Sequence, residues 1–166
     1  MELEAMGLEM PEVAGHPNRR GFRGVLTLVG VASERPPSGA RGHRVMLTRR
    51  ATERAMASLL GMAVDYAPRM DGHDAQRKIG VITSAELRGD RVEIEGHLFA
   101  HDFPEVVREI AESQGKLGMS YEIADARVQD AQVGVWAVTE FAFTGAAVLK
   151  REKAAYARTR FEVSGS

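Results

Sequence analysis

The segment around Ser120 carries a hydroxyl group that could act as a nucleophile. From Leu117 to Ile123, a period of two places Gly118, Ser120 and Glu122 on one face and apolar side chains on the other. We therefore expect Ser120 to point away from the core, with Gly118 leaving space beside it for a substrate backbone. Strand serines are also common as tolerated small polar residues, and no nucleophile-elbow motif occurs, so the pattern alone leaves both interpretations open.

A serine hydroxyl needs a base at neutral pH, and His73 is the candidate. It lies in the predicted loop Ala67–Arg77, where the carboxylates of Asp71 and Asp74 could orient the imidazole and raise its basicity. A surface histidine without a role fits the same pattern. If His73 and Ser120 meet, their residue types are those of nucleophilic catalysis.

Glu140 is a candidate for the third member of such a site. In the predicted strand Val135–Phe143, it shares a face with Trp136 and Val138, which is an apolar setting for a carboxylate. A buried carboxylate needs a partner, and an imidazole would serve. The alternative is an edge residue whose side chain reaches solvent.

Composition excludes several other chemistries. The chain of 166 residues has no cysteine, so disulfides, thiolate metal sites and a cysteine nucleophile are excluded. The net charge of −1 does not favour nucleic acid as a partner, and no apolar run is long enough to span a membrane. His97 and His101 do not share one helix and no third ligand is indicated, so we expect neither a metal nor a cofactor.

The predicted elements place these residues in one domain. Residues 1–21 are expected to form a flexible arm, residues 22–159 the folded domain, and residues 160–166 a flexible tail. The pattern predicts six strands, at 22–32, 62–66, 78–87, 91–100, 117–128 and 133–149. It also predicts three helices, at 48–60, from Asp102 to Gly115, and at 151–159. The predicted class is α+β, a mostly antiparallel β-barrel flanked by about three helices.

The order of these motifs resembles the prohead proteases, the serine proteases that mature the capsids of tailed bacteriophages. The motifs that carry the resemblance are His73, Ile79-Gly80-Val81, the run Leu117–Tyr121 around Ser120, and the run Val138–Ala147, which includes Glu140. The match covers roughly residues 22–159. That family is similar in fold to herpesvirus assemblin, a β-barrel surrounded by helices that works as a dimer.

The resemblance implies a serine endopeptidase with Ser120 as nucleophile, His73 as base and Glu140 as acidic partner. Asp71 and Asp74 stay open as alternatives to Glu140. The implied substrates are the scaffold and capsid proteins and the protease itself, cleaved inside the procapsid in the host cytoplasm, with self-association of the enzyme. The alternative class is a non-catalytic capsid-assembly or scaffold module with the same fold.

Overall fold

The computed structural model describes residues 5–11 and 13–164, and within them a nine-stranded sheet and two α-helices. The strands are β1 (Ala5–Gly7), β2 (Arg20–Leu28), β3 (Arg44–Leu47), β4 (Ala63–Tyr66), β5 (Lys78–Arg88), β6 (Arg91–Leu98), β7 (Leu117–Val128), β8 (Val135–Lys150) and β9 (Arg160–Val163). The helices are α1 (Arg49–Ala55) and α2 (Pro104–Glu112), and 3₁₀ turns follow α1 at Met56–Leu59 and β8 at Arg151–Lys153.

The sheet runs in the order β3-β8-β4-β5-β6-β2-β9, with β1 beside β5 and β7 beside β8. Strands β3 and β4 are parallel to β8, and the other pairs are antiparallel. The sheet curls into a half-barrel around a single main core. None of the described helices is long and apolar enough to cross a membrane.

Local sequence explains most of these elements. The Thr48 hydroxyl caps α1 by accepting a hydrogen bond from the Ala51 amide at 3.3 Å. Gly89 has a φ of 62° in the β5–β6 turn, a conformation that glycine adopts without steric cost. Helix α2 begins at Pro104, as expected, but Asp102 does not cap it. The Asp102 carboxylate instead accepts a hydrogen bond from the Asn18 side chain at 3.0 Å.

The predicted helix at 151–159 is wrong. After the short 3₁₀ turn, hydrogen bonds to distant parts of the chain hold this segment in a non-helical conformation. The Tyr156 hydroxyl donates to the carbonyls of Val31 and Val45, and the Thr159 hydroxyl accepts from the Met119 amide. The bonds of Tyr156 hold the segment to β3 and to the residues after β2, and the bond of Thr159 holds it to β7. The described residues therefore contain two α-helices where about three were predicted.

The flexible arm and tail were also predicted too broadly. Strand β9 lies in the predicted tail and pairs with β2, with Phe161 and Val163 buried between exposed neighbours. Phe161 stacks on Phe22 with ring centroids 4.8 Å apart. In the predicted arm, β1 pairs with β5, and β2 already begins at Arg20. With β3, these strands raise the predicted six to nine among the described residues. The remaining residues of the predicted arm and tail, 1–4, 12 and 165–166, lie outside the described residues.

Candidate active site

Strand β7 presents Ser120 on the face opposite the core. Its neighbour Met119 is buried, whereas Ser120 is partly exposed, as the period of two predicts. Ser120 pairs in register with Ala147 of β8, where the sequence is rich in small residues. The strand pairing therefore fixes the backbone that carries the hydroxyl.

The space beside Gly118 is filled by the chain itself and not left for a substrate. A Cβ atom at this position would lie 2.6 Å from the Thr159 hydroxyl oxygen and 3.2 Å from the Cα of Arg151. The glycine thus allows the segment after β8 to pack tightly on β7. This corrects the interpretation of Gly118 drawn from the sequence.

The loop between β4 and β5 brings His73 to this strand. Met70 anchors the loop, because its side chain is buried and its carbonyl accepts a hydrogen bond from the Lys150 amide at 2.8 Å. Met70 also has a φ of 50°, which only a well-supported backbone retains in a residue other than glycine. The loop is therefore attached to the end of β8, beside the strand that carries Ser120.

The imidazole of His73 contacts the hydroxyl of Ser120. Its Nε2 atom lies 3.1 Å from Ser120 Oγ, within hydrogen-bonding distance. The His73 side chain is only 16% exposed. With Nε2 unprotonated, the ring can accept the hydroxyl proton, which is the arrangement that activates a serine.

Two carboxylates lie beside the other ring nitrogen of His73. Nδ1 is shielded from solvent and has no hydrogen-bond partner among the described residues, but it is 3.4 Å from Asp65 Oδ2 and 3.5 Å from Glu122 Oε1. The Asp65 side chain is 1% exposed, and its Oδ1 atom contacts Lys78 Nζ at 2.5 Å. Asp65 was missed by sequence reasoning. The available signal was a charged residue inside the apolar run of β4, paired in register with Lys78 of β5.

Glu140 is not brought to this site. Its carboxylate forms an ion pair with Arg127 at 3.2 Å, and its side chain is 61% exposed. The reason is a bulge: Arg127 pairs with Glu140 but Val128 with Val138, so Thr139 is an extra residue on β8. The bulge reverses the alternation and turns Glu140 to solvent.

The two alternative carboxylates in the loop do not reach the imidazole either. Asp74 pairs with Arg77 at 3.3 Å and accepts a hydrogen bond from the Gln76 amide. Asp71 is exposed. Among the described residues, the carboxylates within 4 Å of His73 are therefore those of Asp65 and Glu122.

Two tyrosines next to site residues have raised pKa values. Burial, reinforced by the Glu109 carboxylate that accepts its hydrogen bond, raises the pKa of Tyr66, the neighbour of Asp65. Burial, with a smaller effect from Tyr156, raises the pKa of Tyr121, the neighbour of Ser120. Both phenols therefore stay neutral and are not bases for this site.

The residues considered for a metal do not form a cluster. His97 lies on β6 with its ring edge-on to Phe99, and burial lowers its pKa. His101 follows β6 in the turn before α2. The described residues contain no group of three or more histidine, aspartate or glutamate side chains that could hold a metal ion.

The curled sheet and its two helices have a counterpart among solved structures. Among solved structures, the chain is similar to the bacteriophage T4 capsid assembly protease, gp21, with a TM-score of 0.57 and 14% sequence identity over 88% of this chain and 91% of that chain. The strand-rich, curled sheet expected from the resemblance to phage capsid proteases is thus confirmed, whereas the predicted third helix is not.

A second similar structure is that of the KSHV protease in complex with a hexapeptide phosphonate inhibitor. Its TM-score is 0.48 and its sequence identity 9%, over 89% of this chain and 66% of that chain. No protein-family model matches the chain, and no curated protein matches it.

Proposed function

We propose that this chain is a serine endopeptidase that cleaves scaffold protein, capsid protein and itself during procapsid maturation. The observation that carries the proposal is the 3.1 Å contact between Ser120 Oγ and His73 Nε2. The fold supports the setting, because a protein with the same fold is a capsid assembly protease.

The reaction is acyl transfer. Ser120 Oγ attacks the carbonyl carbon of the scissile peptide while its proton passes to His73 Nε2, and the ring then gives that proton to the departing amine. Water attacks the resulting ester in a second cycle through the same base and releases the acid product. In this scheme Asp65, and not Glu140, holds the ring with Nδ1 protonated, because its buried carboxylate lies beside that atom.

Regulation would come from confinement. Inside a procapsid in the host cytoplasm, the chain would be concentrated together with scaffold and capsid proteins. Self-association and cleavage would both increase with that concentration. The proposal needs no metal and no cofactor.

The test is cleavage of candidate phage capsid and scaffold proteins co-expressed with the full chain. We expect discrete shortened products with the wild-type chain and none with Ser120→Ala, which keeps the fold but removes the nucleophile. Co-purification with uncleaved capsid protein, identical for the wild type and Ser120→Ala, would instead indicate a non-catalytic assembly module.

A further inference from the structure

The charges around His73 are distributed unevenly over four structural elements. Asp65 faces the ring from β4 and Glu122 from β7, and Lys78 of β5 lies behind Asp65. On the ring's own loop, Asp74 is already paired with Arg77. The two carboxylates beside the ring are therefore not equivalent, because in the described part of the chain a lysine or arginine contacts Asp65 and not Glu122.

The negative charge of Asp65 is balanced by Lys78. The contact of 2.5 Å between Asp65 Oδ1 and Lys78 Nζ is short for an ion pair, and the carboxylate is buried, where charges interact strongly. When His73 takes the proton of Ser120, the ring becomes a cation. The group of ring, Asp65 and Lys78 then carries a net charge of +1.

Glu122 can balance that charge. Its side chain is 53% exposed, and among the described residues the basic side chain within 4 Å of its carboxylate is His73, with Nδ1 3.5 Å from Glu122 Oε1. It lies on the same face of β7 as Ser120, two residues further along, so one strand holds both nucleophile and carboxylate.

Gly145 provides the space that this carboxylate occupies. The two residues are direct partners across the β7–β8 pair. A Cβ atom on Gly145 would lie 2.9 Å from Glu122 Oε2 and 3.3 Å from its Cδ. Any larger residue at this position would displace the carboxylate.

We propose that Glu122 is a positioning residue that stabilises the imidazolium form of His73 during acyl transfer, while the Lys78-paired Asp65 fixes the ring orientation. This inference rests on the proposed function. The two carboxylates thus have separate roles. Asp65, which is buried, orients the ring, and Glu122, which is half exposed and not paired with a lysine or arginine among the described residues, stabilises the positive charge of the ring.

The test measures how fast a fluorophosphonate probe reacts with the full chain. Ser120 Oγ attacks phosphorus, fluoride leaves, and the hydroxyl proton passes through His73 to solvent, so the rate reports the base without knowledge of the natural substrate. We expect Glu122→Gln to lower the second-order rate constant about fivefold at neutral pH and low salt. The matched control is Glu140→Gln, the same change at an exposed carboxylate of the same strand pair, which should leave the rate within about twofold.

The pH profile separates an electrostatic role from a structural one. Removing an anion near the ring disfavours its protonated form, so the acid limb of the Glu122→Gln profile should move to lower pH. Removing the nearby cation in Lys78→Met should move the limb the opposite way. Added salt should slow the wild type more than Glu122→Gln, because the half-exposed charge is screened.

Gly145→Ala is a second variant, which keeps the Glu122 carboxylate but moves it away from the ring. We expect its rate to fall towards that of Glu122→Gln, with an unchanged circular dichroism spectrum. Equal rates and equal acid limbs for the wild type and Glu122→Gln would overturn the inference and leave the proposed function standing. A wild-type chain that does not react at Ser120 would overturn both.

Discussion

Asp65 lies in an otherwise apolar strand, with its carboxylate between Lys78 and the ring of His73. Burying a charge costs several kcal/mol unless the charge is paired. Lys78 provides that pairing on one carboxylate oxygen and leaves the other oxygen facing the imidazole. Because the Asp65 carboxylate is buried and paired, it has little freedom to move and can hold the imidazole of His73 in one orientation.

At this scale we predict that Asp65→Asn lowers the rate of fluorophosphonate labelling on the order of 10²- to 10⁴-fold. The amide keeps the size of the side chain but no longer stabilises the ring with its proton on Nδ1. Glu140→Gln, at the carboxylate first favoured from sequence, should have almost no effect. A large loss in Glu140→Gln with a normal rate in Asp65→Asn would reverse the assignment.

Strand β7 combines two roles, because one face carries Ser120, the proposed nucleophile, and the strand also packs against the segment after β8. Gly118 is where that packing is tightest. The Thr159 hydroxyl accepts a hydrogen bond from the Met119 amide at 3.1 Å and donates one to the Tyr156 carbonyl at 3.0 Å. A side chain at Gly118 would push this segment away from the strand.

We therefore predict that Gly118→Ala lowers the free energy of unfolding by about 1–3 kcal/mol, since the Cβ atom overpacks against chain that cannot easily withdraw. Urea denaturation of the full chain measures this. Gly134→Ala is the matched control, because a Cβ atom there meets nothing within 4 Å. Similar midpoints for Gly118→Ala and the wild type would mean that the close approach carries no energy.

On the inner face of the same strand, the Tyr121 hydroxyl is shielded from solvent and has no hydrogen-bond partner among the described residues. An unpaired buried hydroxyl costs free energy. The edge-to-face packing of the Tyr121 ring on Phe143, with ring centroids 5.9 Å apart, does not depend on that hydroxyl. We predict that Tyr121→Phe stabilises the protein by up to about 1 kcal/mol in the same urea assay. A loss of stability would show that the hydroxyl has a partner, such as a buried water.

At the scale of the whole molecule, β9 joins the end of the described chain to the core. Phe161 is almost fully buried and stacks on Phe22 of β2. We predict that Phe161→Ala lowers the free energy of unfolding by about 3–5 kcal/mol, a typical cost for removing a buried aromatic ring. The exposed neighbour Glu162→Ala should change it by less than about 0.5 kcal/mol. If both substitutions changed the free energy of unfolding by similar, small amounts, residues 160–163 would not contribute to the core, as expected of a flexible tail.

The sequence predicted the parts of the molecule that depend on local pattern. The period of two around Ser120 gave the correct face, and β7 begins and ends as predicted. The hairpin β5–β6 follows from its Gly-Asp turn. His73 could be named as the candidate base from its residue type and its loop, but its contact with Ser120 did not follow from local pattern. A loop position depends on tertiary contacts such as that of Met70 with Lys150.

The errors arise where a non-local contact overrides the local pattern. A one-residue bulge at Thr139 turned Glu140 away from the core, and no periodicity argument includes such an insertion. Asp65 was passed over because it lay inside an apolar strand. The composition of the segment 151–159 predicts a helix, but Tyr156 and Thr159 form hydrogen bonds to strands β3 and β7 instead.

The central claim is that His73 activates Ser120. Its most direct test is peptide mapping by mass spectrometry after the full chain reacts with a fluorophosphonate. The account predicts one adduct, on Ser120, in the wild type, and a loss of at least about 100-fold in its rate of formation in His73→Ala with the fold intact. An adduct on another residue, or undiminished labelling of Ser120 in His73→Ala, would contradict it.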